Sequence, residues 1–209
     1  MIGTLLRFIS LAAFIANAIG TGEAQTPTRE RFGNATAGVS LVRPAGWHTA
    51  SLQDIQANRE RVRLPDRDLQ LALAKRATAP LFVFTKHAEP YVGLNPSIQV
   101  TLRPLGDLAG SAPVSLLKIA VAQIQKAFPD FEYVTPVRTA QVSALPAAYT
   151  KARYTLKNSD GHTFKVLGRL WVVPRGAFMF IIGMSGPQTG PDLSEAEFAE
   201  ALASIQIEK

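Results

Sequence analysis

The sequence predicts an α+β fold built around an antiparallel β-sheet. Three observations predict it. From residue 131 onward, hydrophobicity alternates with a period of two as far as residue 184, which is typical of an antiparallel meander. Residues 113 to 128 repeat their apolar side chains at helical spacing. The motif Ser194-Glu195-Ala196-Glu197 is a capping box that would begin a C-terminal helix ending near residue 204.

The segments before the meander mix short strands with helices. Residues 39 to 43 alternate and stop at the turn Pro44-Ala45-Gly46-Trp47, so they indicate a strand. A second capping box, Ser51-Leu52-Gln53-Asp54, indicates a helix. Pro65 suits the first position of another short helix over residues 66 to 76. Two further strands are predicted over residues 81 to 85 and 97 to 102.

The helix predicted over residues 113 to 128 has one apolar stripe and one polar side. The residues expected to face the core are Leu117, Ala120, Val121, Ile124 and Phe128. Those expected to face solvent are Lys118, Gln125 and Lys126. Pro129-Asp130 ends the helix.

The meander predicts three neighbouring strands whose even-numbered side chains turn inward. Even positions share a face only if each loop has an odd number of residues. Ser159-Asp160-Gly161 and Pro174-Arg175-Gly176 meet this condition as three-residue loops, each with glycine at the left-handed position. The resulting register places Lys151 opposite Arg169.

The N-terminal residues predict export. Arg7 precedes an apolar run over residues 8 to 19, and small residues follow before Gln25. The run is shorter than the roughly 20 residues that span a bilayer. We therefore expect residues 1–24 to be a cleaved signal peptide and residues 25–209 to form one domain with no transmembrane segment after cleavage; an uncleaved anchor is the alternative. The absence of Cys rules out disulfides and thiolate sites and suits a bacterial periplasmic or secreted protein.

Positive charge is concentrated within residues 138 to 175. The whole chain has a formal charge of +6. Five basic side chains would share one side of the meander: Lys151, Arg153, Lys157, Lys165 and Arg169. Because like charges placed opposite each other destabilise a sheet, we expect an anion between Lys151 and Arg169. The partner would be an anionic protein or a cell-envelope component. A merely solvated strand face is the alternative, and export disfavours a nucleic-acid partner.

Catalytic and metal-binding patterns are weak. Gly183-Met184-Ser185-Gly186-Pro187 nearly spells a nucleophile elbow, but proline stands where the second glycine is needed. A serine hydrolase at Ser185 remains a remote alternative. The histidines His48, His87 and His162 lack metal-ligand spacing, and no glycine-rich phosphate loop opens a helix. We therefore expect no catalytic residue, metal or cofactor.

Aromatic residues suggest a second function. Trp47 follows the first turn, where it either covers the edge of the core or lines a ligand slot. Together with Trp171 it could form a slot for a small amphipathic molecule. The alternative function is thus a carrier of such a ligand.

Taken in order, the segments resemble a PsbP-like domain, the fold of the photosystem extrinsic protein PsbP, a Ran-binding nuclear import factor and many exported bacterial proteins. The segments that carry the resemblance are GVSLVRPAGW (38–47), NPSIQVTLRPL (95–105), SLLKIAVAQIQKAF (115–128), LPAAYTKARYTL (145–156), FKVLGRLWVVPRGAFMFIIGMSGP (164–187) and FAEALASIQI (198–207). The resemblance implies an α/β/α sandwich, a central antiparallel sheet flanked by helices on both faces, which acts through partners without catalytic machinery. No binding residue of the family transfers to this chain. The expected function is that of an exported, non-catalytic interaction or assembly module, and the absence of the cleavage-site cysteine found in lipid-anchored relatives favours a free protein.

Overall fold

A computed structural model describes residues 29–63 and 80–208. The signal peptide expected over residues 1–24 and the short helix expected over residues 66–76 lie outside the described residues. The domain boundary at residue 25 therefore stays a prediction.

The described chain forms eleven strands and three α-helices. The strands are β1 (Arg31–Asn34), β2 (Val39–Val42), β3 (His48–Thr49), β4 (Val62–Arg63), β5 (Phe82–Thr85), β6 (Ser97–Pro104), β7 (Glu132–Val142), β8 (Leu145–Asn158), β9 (Thr163–Arg175), β10 (Phe178–Pro187) and β11 (Gln206–Ile207). The helices are α1 (Leu52–Arg61), α2 (Pro113–Ala127) and α3 (Glu195–Ser204). Two short 3-10 helices cover Gly106–Leu108 and Pro191–Leu193.

The large sheet has eight antiparallel strands in the order β3-β5-β6-β10-β9-β8-β4, and β7 pairs with β8 beside β4. A small sheet has the order β1-β2-β11. Helix α2 packs on one face of the large sheet, which we call the α2 face. Helix α3 and the small sheet cover the other, the α3 face. The predicted α+β architecture, with helices on both faces of an antiparallel sheet, is confirmed.

Each face has its own hydrophobic core. On the α3 face, Trp47, Phe84, Phe180, Ile182 and Phe198 are buried together. On the α2 face the buried cluster is Leu105, Leu116, Leu117, Val121, Ala148 and Val172. The predicted helical stripe is confirmed at Leu117 and Val121, and Lys118, Gln125 and Lys126 are exposed as expected.

The two predicted capping boxes have different outcomes. At α1, the Asp54 amide donates to the Ser51 hydroxyl over 3.1 Å and the Ser51 amide donates to the Asp54 carboxylate over 2.9 Å, so this box is confirmed. Helix α3 is also confirmed, but Ser194 has a left-handed φ of 55° and makes no side-chain cap. Its hydroxyl instead donates to the Asp192 carbonyl. The prediction of a box at Ser194 was wrong because Ser194 is in the left-handed conformation and the Glu197 carboxylate pairs with Lys86 of the loop after β5.

The register of the meander is confirmed for its first hairpin and wrong for its second. Lys151 pairs with Arg169, around a loop that holds Gly161 with φ of 86°. In the second hairpin Arg175 pairs with Phe178, so the loop contains Gly176 and Ala177 rather than the predicted three residues. Two-residue loops are the most common hairpin connection and accept glycine at their first position, where Gly176 has φ of 57°.

The one-residue difference changes which side chains share a face. Even-numbered residues of β10 share a face of the sheet with odd-numbered residues of β8 and β9. For example, Phe180 belongs to the same core cluster as Trp171 and Val173. The expectation that only even positions point inward is therefore wrong. Consecutive residues are buried because both faces of the sheet are covered.

Two-sided burial predicts that Val172 and Val173 are equally sensitive to truncation. Both are 0% exposed, one on each face. We expect Val172→Ala and Val173→Ala each to lower the free energy of unfolding by about 1.5 kcal/mol or more, from lost methyl burial and the cavity left behind. Urea denaturation measures this free energy of unfolding, and Lys157→Ala, at an exposed residue, is the control. A neutral effect at either valine would contradict burial on both faces.

Candidate functional site

The basic residues singled out from the sequence lie on the α3 face, beside the N-terminus of α3. Strand β8 contributes Lys151, Arg153 and Lys157, and β9 contributes Lys165 and Arg169. All five are odd-numbered residues of one hairpin in even-sum register, so they share this face. The structure thus brings the predicted set together.

The like-charged pair is bridged by a carboxylate of the chain itself. Glu195, the first residue of α3, accepts a hydrogen bond from Lys151 Nζ over 2.8 Å and one from Arg169 Nε over 3.1 Å. A second Arg169 nitrogen, Nη2, also donates to this carboxylate. The anion expected between the two cations is therefore internal rather than supplied by a partner.

Arg169 is not an open surface residue. Its side chain is only 4% exposed, and its guanidinium lies 4.9 Å from the centre of the Phe198 ring. The expectation that it belongs to an exposed basic surface was wrong, because α3 covers it. Arg169 instead positions α3 on the sheet.

The contacts with Lys151 and Arg169 change the pKa of the Glu195 carboxyl. Its partial burial acts to raise its pKa, but the hydrogen bonds and charges of Lys151 and Arg169 outweigh that effect, so the pKa lies below its ordinary value. The bridge is therefore ionised at neutral pH.

The remaining basic residues are more accessible. Arg153 makes a two-pronged ion pair with Glu132 of β7, over 2.9 and 2.8 Å. Lys165 donates to the Thr155 hydroxyl over 2.8 Å and lies 4.0 Å from a carboxylate oxygen of Asp130. Lys157 is exposed and makes no ion pair with any residue that the structure describes.

Sequence reasoning missed a further member of this surface. Arg138 of β7 is exposed and its guanidinium lies 5.3 Å from the centre of the Tyr149 ring, on the same face. A shift in register between Tyr133 and Arg138 brings it there. That irregularity could not be read from alternation alone. We call the accessible cations the basic strip: Arg138, Lys151, Arg153, Lys157 and Lys165.

The basic strip keeps uncompensated positive charge. Together with Arg169 it has six cations, whereas their carboxylate partners in the described chain are three: Asp130, Glu132 and Glu195. Exposed ion pairs of this kind contribute only about 0–1 kcal/mol each, so an incoming anion can compete for them.

Trp47 and Trp171 do not form a ligand slot. They are 4% and 7% exposed and belong to the core of the α3 face. Trp47 packs edge-on against Phe198 with ring centres 5.7 Å apart, and Trp171 lies 4.7 Å from Tyr149. The slot interpretation was wrong, because the small sheet and α3 fill the space beside both indoles.

Ser185 lies inside β10 and not on a turn into a helix. It pairs with Gly168 on one side and Ser97 on the other, and its hydroxyl is 3.1 Å from that of Ser97. The strained strand-to-helix turn that a nucleophile elbow requires is not formed at this residue.

A second polar cluster joins the loop after β5 to the start of α3. His87 Nε2 lies 3.0 Å from an Asp192 carboxylate oxygen, and the Tyr91 hydroxyl donates to the other oxygen over 3.2 Å. Lys86 Nζ lies 3.0 Å from Glu197. Partial burial acts to raise the pKa of Asp192, but its bonds to His87 and Tyr91 and the charge of Lys86 lower it below the ordinary value. Because its members are far apart in sequence, no spacing motif could reveal this cluster.

The described residues contain neither a candidate metal site nor a membrane-spanning helix. Within residues 29–63 and 80–208, no group of three or more His, Asp or Glu side chains could hold a metal ion. In the same ranges no helix is long and apolar enough to cross a membrane.

The Glu195 bridge predicts a pH-dependent contribution to stability. We expect Glu195→Gln to lower the free energy of unfolding by about 1–3 kcal/mol at pH 7, because buried Arg169 loses its counter-charge. Since the folded pKa is lowered, this stability is complete above the unfolded pKa, near 4.5, and is lost as the pH falls through the folded pKa. Urea denaturation between pH 7 and pH 3 should show wild type and variant converging in acid. The control is Glu200→Gln on the same helix, whose pair with Arg29 is exposed; equal losses in both variants would contradict the bridge.

The sequence matches no protein-family model and no curated protein. Solved structures do match. The solution structure of cyanobacterial PsbP (CyanoP) from Synechocystis sp. PCC 6803 aligns with a TM-score of 0.53 at 12% identity, over 90% of this chain and 96% of that one. LpqN, described as involved in cell envelope biogenesis of Mycobacterium tuberculosis, aligns with a TM-score of 0.49 at 14% identity, over 88% of both chains. A protein from Bacteroides thetaiotaomicron VPI-5482 aligns with a TM-score of 0.47 at 15% identity, and this chain spans about half its length, 49%. The chain therefore has a PsbP-like fold.

Proposed function

We propose that this protein is an exported, non-catalytic interaction module whose basic strip binds an anionic partner. The observation that carries the proposal is the surplus of positive charge on this face, where the basic strip and Arg169 have only three carboxylate partners in the described chain. A surface with surplus positive charge attracts acidic groups and accelerates their encounter.

The geometry of the basic strip supports binding rather than mere solvation. Its side chains project from β7, β8 and β9, whose backbones are fixed by pairing on the central sheet. Arg138 lies against the ring of Tyr149, and arginine beside an aromatic residue is common in binding surfaces. Rigid placement lowers the entropy lost when a partner orders these side chains.

Glu195 would limit how deep the partner reaches. Because Lys151 and Arg169 are already paired with Glu195, the cations most accessible to a partner are those around it, chiefly Arg138 and Lys157. The partner would be an acidic protein segment or an anionic envelope polymer. Export is inferred from the N-terminal sequence alone.

Reversing two charges of the basic strip tests the proposal. We expect Arg138→Glu combined with Lys157→Glu to weaken binding to poly-L-glutamate and to isolated cell envelopes by about tenfold or more at low ionic strength. Neither residue belongs to the Glu195 bridge, so folding should be preserved. Binding of the wild type should also fall as salt is added, because salt screens exposed charges.

The matched control places the same charge change on the opposite face. Lys118→Glu combined with Lys126→Glu alters two exposed lysines of α2 and should leave binding close to wild type. If both double variants lost binding equally, net charge alone would explain it. If neither lost binding, the basic strip would not be the binding surface. The two probes distinguish the two partners. Binding to poly-L-glutamate would indicate an acidic protein segment, and binding to isolated cell envelopes alone would indicate an envelope polymer.

A further inference from the structure

The α2 face has a deep cleft that α2 does not cover. It has a volume of about 1070 Å³ and lies over β5, β6, β8, β9 and β10, with α1 and residues 89 to 95 at its rim. Pockets that hold small molecules commonly have volumes of roughly 300–1000 Å³. The cleft is therefore large enough for an organic ligand.

The floor of the cleft is polar where the same strands are apolar on their other face. Ser97 and Gln99 of β6 and Ser185 of β10 line it. Their neighbours Ile98, Val100, Ile182 and Met184 point to the α3 face and are at most 1% exposed. Along β10, the residues facing α2 are Met179 and Ile181, and beyond the helix they change to Gly183 and Ser185. This change from apolar to small and polar occurs where the helix stops covering the sheet.

The polar side chains of the floor are held in place by hydrogen bonds to one another. The hydroxyls of Ser97 and Ser185 lie 3.1 Å apart, and the Gln99 amide donates to the Thr101 hydroxyl over 3.0 Å. Such side chains can donate to and accept from the hydroxyls of a bound molecule.

Tyr154 adds a donor that lacks a partner. Its ring stacks on Phe128 with centres 4.3 Å apart, and its hydroxyl lies over Gly168, where an added Cβ would be 3.7 Å from it. The hydroxyl makes no hydrogen bond with any described residue, and because Tyr154 is half-buried and lines the cleft, this hydroxyl can donate to a bound molecule. Burial raises the pKa of Tyr154 to about 12, so the group remains a donor at physiological pH.

The walls of the cleft are apolar, and Lys and Arg are absent from the part of its lining that the structure describes. Ile55, Val83, Leu156 and Phe164 contribute the apolar surface. Among the described lining residues the carboxylates are Glu89 and Asp160, and none is Lys or Arg. Glu89 is already held by the amides of Asn58 and Asn95. An anionic ligand would therefore be repelled, whereas an uncharged one would not.

We propose that this cleft binds a small uncharged amphipathic molecule, with a hydroxyl-bearing head group on the Ser97–Gln99–Ser185 floor near Tyr154 and an apolar tail against Ile55, Leu156 and Phe164. The site lies on the opposite face of the sheet from the basic strip, and it does not depend on the anionic partner.

Titration with octyl glucoside, below its critical micelle concentration, tests the site. We expect saturable binding of one molecule per chain, measured by calorimetry. The backbone amide NMR signals of Ser97, Gln99 and Ser185, which line the cleft, should shift on binding. Octyl sulfate, with the same tail and a negative charge, should bind about tenfold more weakly or worse, because the charged side chains among the described lining residues are the carboxylates of Glu89 and Asp160.

Two variants that narrow the cleft should abolish this binding. Ser185→Leu fills the floor, and Val83→Trp enlarges a half-buried side chain of the wall. Each should weaken octyl glucoside binding about tenfold or more through steric exclusion. Thr139→Leu, on the exposed surface of β7, is the matched control and should bind like wild type.

Val83→Trp keeps the test valid if Ser185→Leu fails to fold, which thermal unfolding checks. The proposal would be overturned if the wild type showed no saturable binding, if both cleft variants bound octyl glucoside as tightly as the wild type, or if octyl sulfate bound more tightly than octyl glucoside. The double variant Arg138→Glu and Lys157→Glu should bind octyl glucoside normally, so a failure of the basic strip and a failure of the cleft can be told apart.

Discussion

The structure depends on a sheet whose central strands are buried on both faces. Strands β8, β9 and β10 carry two hydrophobic cores, and Val172 and Val173 are both fully buried although they point in opposite directions. This requires one helix layer on each side, because an open face would expose one of the two cores to water. The positions of α2 and α3, and with them both candidate sites, follow from that requirement.

Covering the α3 face brings a cost that Glu195 offsets. Arg169 lies under α3, where an unpaired guanidinium would be strongly destabilising. The first residue of the helix supplies the compensating charge, and Lys151 shares it. A carboxylate at a helix N-terminus is also favoured by the helix dipole. One side chain thus anchors α3, neutralises a buried cation and leaves the outer cations of the face without full compensation.

The sequence predicts strands and helices well and their faces less well. The first hairpin was correct because Gly161 and the polar loop around it leave few alternatives. The second loop was predicted one residue too long, because Gly176 suits both loop lengths. The end of β9 next to this loop is also apolar on both sides, so alternation cannot choose the register. The basic cluster was found, but its bridge to Glu195 was not, since 26 residues separate Glu195 from Arg169. The cleft was missed because it is formed by what α2 leaves uncovered, which no local pattern encodes.

The two faces therefore differ in the chemistry they offer, and a single strand shows why. Along β8, Lys151, Arg153 and Lys157 project to the α3 face, whereas Ala152, Tyr154 and Leu156 project to the α2 face. Alternation places cations and an uncharged, partly apolar lining back to back on one backbone. Because that backbone is paired on both sides, a ligand on one face cannot displace side chains on the other without breaking ladder hydrogen bonds. The sheet thus places the basic strip and the proposed cleft on opposite faces, so that binding at one would leave the other unchanged.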